Sequence, residues 1–178
     1  MNFNFATRSS ESCLGSALRL VRSTRRPRTG FFLRAESFFN VATAVETLGV
    51  LDSYGGRSLH EQSHGESFMA LALHRFGPQG LYILDEPEAA LSPLRQMSML
   101  RRMHDLVRQG CQFLVATHAP IVLSYPGAWI YELDASGLRR VSYDQTSTVQ
   151  VTRDFLREPG PMLEELFAEG DDGDVPQR

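Results

Sequence analysis

Residues 80 to 93, Gly-Leu-Tyr-Ile-Leu-Asp-Glu-Pro-Glu-Ala-Ala-Leu-Ser-Pro, constrain this chain more than any other stretch. Four apolar residues in succession, Leu81 to Leu84, run into two adjacent carboxylates, Asp85 and Glu86, and Pro87 stops the strand. A continuous apolar run of this kind predicts a strand buried on both faces, as in a parallel sheet covered by helices. Such sheets bind ligands beyond the carboxyl ends of their strands. The pair Asp85–Glu86 is thereby delivered to the place where an α/β fold does its chemistry.

The neighbouring segments support that sheet. Gly30-Phe-Phe-Leu-Arg34 reads as a strand, and Asn40 to Leu48 as a helix with Gly49 beyond its end. Asp52 to Arg57 is a loop with a Gly55-Gly56 turn signal. A helix is predicted from about Glu66 to Phe76, with Phe68, Leu71, Ala72 and Phe76 on one side. Pro93 opens a long helix to about Arg108, since a proline in the first turn forfeits no intrahelical bond. Its buried face is predicted as Met97, Leu100, Met103, Leu106 and Val107. Gln112 to Ala116 makes the next strand, and Ala128–Leu133 with Leu138–Tyr143 reads as a hairpin around Asp134-Ala-Ser-Gly137. Short helices are expected near Thr152–Leu156 and Pro161–Ala168, followed by an acidic, disordered tail over residues 169–178. At the other end, Ala17 to Val21 reads equally as helix or strand.

Strand and helix alternate from residue 31 to 118, which predicts an α/β sheet. The 178 residues suit one domain. A net charge of −3 gives no global case for nucleic acid or a membrane surface, and no apolar run reaches the ~20 residues of a span. The N-terminus lacks signal-peptide order, and Cys13 and Cys111 stand far apart, so a cytoplasmic protein with reduced thiols is expected. Arg19, Arg22, Arg25, Arg26 and Arg28 gather around Pro27, which reads as a basic phosphate-binding patch or, since no aromatics interleave them, more simply as a solvated loop. All 18 basic residues are arginine. A phosphate-gripping loop G-x-x-x-x-G-K-[ST], which needs a lysine, is therefore absent from residues 1–178.

Three groups of residues bear on chemistry. Gln62-Ser63-His64-Gly65-Glu66-Ser67 precedes a helix, whose N–H groups and dipole favour phosphate. The same residues also read as an ordinary helix start, with Ser63 as N-cap and Glu66 as its capping-box partner. At the end of the central strand, Asp85 suits Mg²⁺, which binds few carboxylates and keeps most of its water. Glu86, pointing the other way along the pleat, is placed to orient or deprotonate a water. His118 ends the next strand, where an imidazole could donate to a terminal phosphate, or serve only structure.

Taken together and in order, Ser63-His-Gly65-Glu66, Leu-Tyr-Ile-Leu-Asp85-Glu86-Pro, Ala89-Ala-Leu91-Ser92-Pro and Ala116-Thr-His118-Ala-Pro resemble the C-terminal half of an ABC-class ATPase. The resemblance is to the signature, Walker B, D-loop and switch-histidine motifs, and it is greatest to small bacterial ATPases of AAA or ABC type. It covers roughly residues 30 to 168, and the signature-to-Walker B spacing of about twenty residues fits. It implies a P-loop NTPase-type, mostly parallel sheet flanked by helices, with a C-terminal hairpin. Residues 1–168 would be a partial ATPase domain and 169–178 a tail. Asp85 would carry Mg²⁺, Glu86 would be the catalytic base acting on ATP, and His118 would sense the γ-phosphate. Ser63, Gly65 and Glu66 would contact ATP held by a second subunit, so a homodimer or a partner ATPase supplying Walker A is implied. Glu36 falls at the Q-loop, where glutamate replaces glutamine. His64, Glu66 and Ser92 also depart from the common signature and D-loop.

The first strand, Walker A loop and following helix of that family are missing, so an incomplete domain is expected. A central strand buries three or four large apolar side chains at roughly 1.5–3 kcal/mol each. That is of the order of a domain's whole net stability, about 5–15 kcal/mol. The expectation is an ATPase fragment that hydrolyses ATP when combined with a Walker A element. The alternative is a catalytically inactive regulatory subunit docking on a complete ATPase. A third possibility, a metal-dependent nuclease or phosphatase built on Asp85, Glu86 and Glu88, lacks further ligands for a two-metal centre.

Overall fold

The computed structural model describes residues 14–22, 24, 26–35, 43, 45–49, 51–54, 56, 58 and 60–168. The chain divides into two compact units, Met1–Thr117 and His118–Arg178. Glu36, most of the segment 40–44, Gly55, Cys13 and the acidic tail lie outside the described residues.

The first unit opens with a single helical turn, α1 (Leu14–Ala17), after which Leu18, Leu20 and Val21 are exposed and in no regular element. Of the segment Ala17–Val21, only Ala17 is helical, and Leu18 to Val21 form neither of the elements expected. Three parallel strands follow, β1 (Thr29–Arg34), β2 (Gly80–Asp85) and β3 (Gln112–Ala116), in the order β1-β2-β3. Helix α2 (His64–Arg75) lies between β1 and β2, and α3 (Pro93–Arg108) between β2 and β3. Short 3-10 turns occupy Leu51–Tyr54 and Pro87–Ala90. This is an α/β architecture with a three-stranded parallel sheet flanked by helices.

Local chemistry fixes the ends of these helices. Ser63 caps α2 and Glu66 reaches back to the Ser63 N–H at 2.9 Å, a complete capping box. Pro93 sits in the first turn of α3 behind Ser92, and Gly110 leaves its C-terminus at φ 82°, a conformation glycine enters without steric cost. Arg102 of α3 then donates to the carbonyls of Ala72, Leu73 and Phe76, tying α3 to α2.

The core lies between these helices and one face of the sheet. Phe68, Leu71, Ala72 and Phe76 are fully buried, as the sequence predicts. Phe76 stacks on Tyr82 with ring centroids 4.3 Å apart, and Phe113 leans on Tyr82 at 5.1 Å. The buried row of α3 is Met99, Met103 and Leu106, whereas Met97 and Val107 are exposed. Apolar residues occur on more than one side of α3, so periodicity alone kept Met103 and Leu106 but centred the seam about a fifth of a turn away.

The expectation that β2 is buried on both faces is corrected. Gly80, Tyr82 and Leu84 are buried, while Leu81, Ile83 and Asp85 are only partly covered. On that second face Ile83 pairs with Phe32 and Leu114, which are 59% and 64% exposed. Chain handedness explains this. Right-handed crossovers between strands taken in the monotonic order β1-β2-β3 put both connecting helices on the same side.

The second unit begins at His118. It contains α4 (Pro120–Leu123), a hairpin of β4 (Ile130–Asp134) and β5 (Gly137–Val141), a 3-10 turn at Tyr143–Gln145, α5 (Ser147–Arg157) and α6 (Pro159–Ala168). The strands pair antiparallel around Ala135-Ser136, and Asp134 Oδ1 accepts from the Ser136 N–H at 2.7 Å to close the turn. Glu132 accepts from the N–H of Ser147 at 2.6 Å, which seats the start of α5. Thr146, Val149 and Val122 are the most buried of its described residues. Among the described residues no helix is long and apolar enough to cross a membrane.

Candidate active site

The carboxyl edge of the first unit's sheet carries the candidate residues Arg34 and Asp85. Strand register places Asp85 between Arg34 of β1 and Ala116 of β3. All three lie on the less covered face, in line with Ile83. Arg34 Nε donates to Asp85 Oδ2 at 2.7 Å, and both side chains are partly exposed. Arg34, Ala35, Asp85 and Glu86 line a cleft of about 270 Å³.

Glu86 has left the strand. Its backbone is left-handed, φ 50° and ψ 50°, and its N–H donates to the Ala116 carbonyl at 2.9 Å. The expectation that it continues the pleat is corrected, because Pro87 opens a 3-10 turn and Glu86 makes the corner between strand and turn. A non-glycine residue in this region is strained by about 1–2 kcal/mol. Such strain gathers at sites where a side chain has to be aimed. Glu86 is exposed and lines the cleft from this corner.

Carboxylate is the donor type that a hard divalent cation takes. Asp85 and Glu86 offer carboxylate oxygens, and the Arg34 guanidinium already holds a positive charge against Asp85. Among the described residues no group of three or more His, Cys, Asp or Glu side chains is gathered for a metal. One or two carboxylates is the usual protein share of a Mg²⁺ shell.

Ser63, Gly65 and Glu66 occupy the first turn of α2, where they have structural partners. Glu66 Oε2 accepts from the Ser63 N–H and hydroxyl, and Arg95 of α3 bridges Glu66 at 3.1 Å and Ser63 Oγ at 3.1 Å. These contacts, Ser63 first and then Arg95, hold the Glu66 carboxyl below the usual carboxylate range. Gly65 is buried, and a Cβ there would come within 2.8 Å of the Ala90 carbonyl. The N-terminus of α2 is thus packed directly on the turn that follows Asp85-Glu86.

His118 opens the second unit, two residues beyond Ala116. Glu36 falls outside the described residues. The structure brings together Asp85 and Glu86, and it adds Arg34 and Arg95, which sequence reasoning missed. A signal for Arg34 exists: two neighbouring parallel strands end in opposite charges at matched positions. Arg95 has no comparable signal, since its reach to Ser63 depends on how α3 crosses α2.

A parallel sheet with crossover helices on one side and an acidic corner at the end of its central strand defines an AAA-type P-loop ATPase-like domain when set beside the family comparison. Residues 25–124 match the family described as "AAA domain, putative AbiEii toxin, Type IV TA system", and the chain belongs to that family. The matched residues include all three parallel strands, α2 and α3. Comparison with curated proteins and with solved structures finds no match.

Proposed function

We propose that this chain supplies the metal-and-water half of an ABC-type ATPase site. The observation that carries the reading is the position of Asp85 and Glu86 at the carboxyl end of the central parallel strand, within one cleft. Asp85 would hold Mg²⁺, largely through water, and the metal when bound would supply charge neutralisation at the phosphates. Glu86, exposed at its strained corner, would orient a water and take its proton. His118 would donate to the terminal phosphate. Ser63, Gly65 and Glu66 would face nucleotide on a second subunit, and Arg95 would hold Ser63 and Glu66 in place. Residues 1–178 contain no lysine and no G-x-x-x-x-G-K-[ST] loop, so the phosphate grip would come from additional chain or a partner ATPase.

Metal-dependent nucleotide binding tests the assignment. With a phosphate-loop partner present, Asp85→Asn is expected to weaken Mn²⁺-ATP binding at least tenfold while ATP binding without metal changes little. Equal metal-dependent binding by both proteins would remove Asp85 from the site.

A second reading keeps the fold and drops the catalysis: a regulatory subunit docking on a complete ATPase. The Arg34–Asp85 ion pair favours it, since that contact occupies the carboxylate needed for metal. It predicts partner-dependent stability. Tight, Mg²⁺-dependent ATP binding by residues 1–178 alone, measured by calorimetric titration, would exclude it.

A further inference from the structure

Arg34 is the charged lining residue of the cleft that the metal-and-water reading leaves without work, and among the described residues it is the basic one in that lining. It ends β1 at the register position of Asp85, on the same face of the sheet, and grips Asp85 Oδ2 through Nε. The contact is not a buried structural bridge. The Arg34 side chain is 55% exposed and Asp85 30%. Exposed pairs of this kind are weak enough for a competing cation to displace.

Its chemistry suits a second partner. A guanidinium is always charged and presents donors in a planar fork that matches phosphate oxygens. Histidine aside, every positive charge this chain can bring to a phosphate by a side chain is an arginine, because all 18 Lys and Arg residues are arginine. The geometry points to Arg34 as an exchangeable cation of the site. We propose that it neutralises Asp85 when no metal is bound, and that it turns to the phosphate of the nucleotide when a divalent cation takes Asp85. The inference rests on the metal role given to Asp85 above, and it makes Arg34 a phosphate ligand that replaces, in charge, part of what a lysine would supply.

Two consequences follow from charge alone. Arg34 competes with metal for Asp85 and also repels it, so its removal strengthens metal binding. A unit charge and a divalent ion some 4 Å apart in water interact enough to change an affinity by about thirtyfold before salt screening, and by about tenfold once salt screens part of it. The same removal takes a charge-assisted contact from the phosphate, so anion binding weakens.

The test uses the full 178-residue chain with Mn²⁺ alone as the first probe, its free concentration read by electron paramagnetic resonance. Arg34→Gln is expected to bind Mn²⁺ about tenfold more tightly than the parent chain, and Arg34→Lys, which keeps the charge, to stay within about threefold of it. Tripolyphosphate in the presence of saturating Mn²⁺ is the second probe. Its affinity is expected to fall about tenfold in Arg34→Gln and to be largely restored in Arg34→Lys. Unchanged or weaker Mn²⁺ binding by Arg34→Gln overturns the proposal, as does unchanged tripolyphosphate binding. The metal role of Asp85 fails separately: Mn²⁺ binding that survives in the double variant Arg34→Gln, Asp85→Asn would place the metal elsewhere. Unaltered circular dichroism and thermal midpoint in the variants exclude a folding effect.

Discussion

Tyr82 and Gly77 close on each other through two hydrogen bonds: the Gly77 N–H donates to Tyr82 Oη, and the Tyr82 hydroxyl donates to the Gly77 carbonyl, both at 2.7 Å. Burial pushes the Tyr82 phenol up from its ordinary pKa, so it stays a neutral donor. The pair pins the turn before β2, and with it the strand whose far end carries Asp85. Tyr82→Phe keeps the ring stack on Phe76 but strands the Gly77 N–H. We expect a loss of about 1–3 kcal/mol in urea denaturation. Unchanged stability would show that the latch contributes nothing.

Gly65 bears a structural demand apart from any nucleotide. Its Cβ position lies 2.8 Å from the Ala90 backbone carbonyl and 2.5 Å from Arg95 Nη1. The arginine can swing aside, but the carbonyl belongs to the turn behind Glu86 and cannot. Gly65→Ala gains up to about 1 kcal/mol of helix propensity and meets an overpacking cost of about 1–3 kcal/mol. Net destabilisation is the expected result, by thermal melting. A more stable variant would contradict the close approach of α2 to that turn.

Acid should loosen the start of α2. The Glu66 carboxyl titrates below its ordinary value because Ser63 and then Arg95 stabilise its charged form. A depressed folded-state pKa means the contribution is complete above the unfolded value and is lost as pH falls through the folded one. Glu132 and Asp134 are lowered in the same direction, by Ser147 and Ser136 respectively, and share that acid limb. Glu66→Gln should therefore flatten, without abolishing, the fall in urea midpoint as pH drops below about 5. An unchanged slope would detach Glu66 from the cap.

Much of the fold was legible because its cues are local. The apolar run into Asp85-Glu86, Pro93 in a first turn and Gly110 past a helix end each fix an element by short-range chemistry. The strand Gln112–Ala116 and the helix from Pro93 to Arg108 fall where the sequence places them. What was not legible depends on assembly. Whether Phe32, Ile83 and Leu114 are covered is decided by crossover handedness, not by their hydrophobicity. Which side of α3 is buried is decided by α2, through Arg102. In the candidate site, Asp85 and Glu86 were visible as the two carboxylates that follow one apolar run. Arg34 and Arg95 entered from other elements, and only register and packing could bring them in.

The left-handed corner at Glu86 predicts a trade of stability against function. Glycine adopts φ 50° without the Cβ clash that a glutamate suffers. Glu86→Gly should raise folding stability by about 1 kcal/mol while removing the proposed base. Chemical denaturation measures the first effect. Lower stability in that variant would mean that the Glu86 side chain holds the corner by its contacts.

Single-turnover hydrolysis of ATP by Glu86→Gln tests the central claim most directly, with the chain joined to or combined with an element that supplies the phosphate loop. The account predicts that the variant retains bound ATP and Mg²⁺ and cleaves at least a hundredfold more slowly than the parent, a lower-end effect for loss of a general base. Hydrolysis at the parent rate would contradict it.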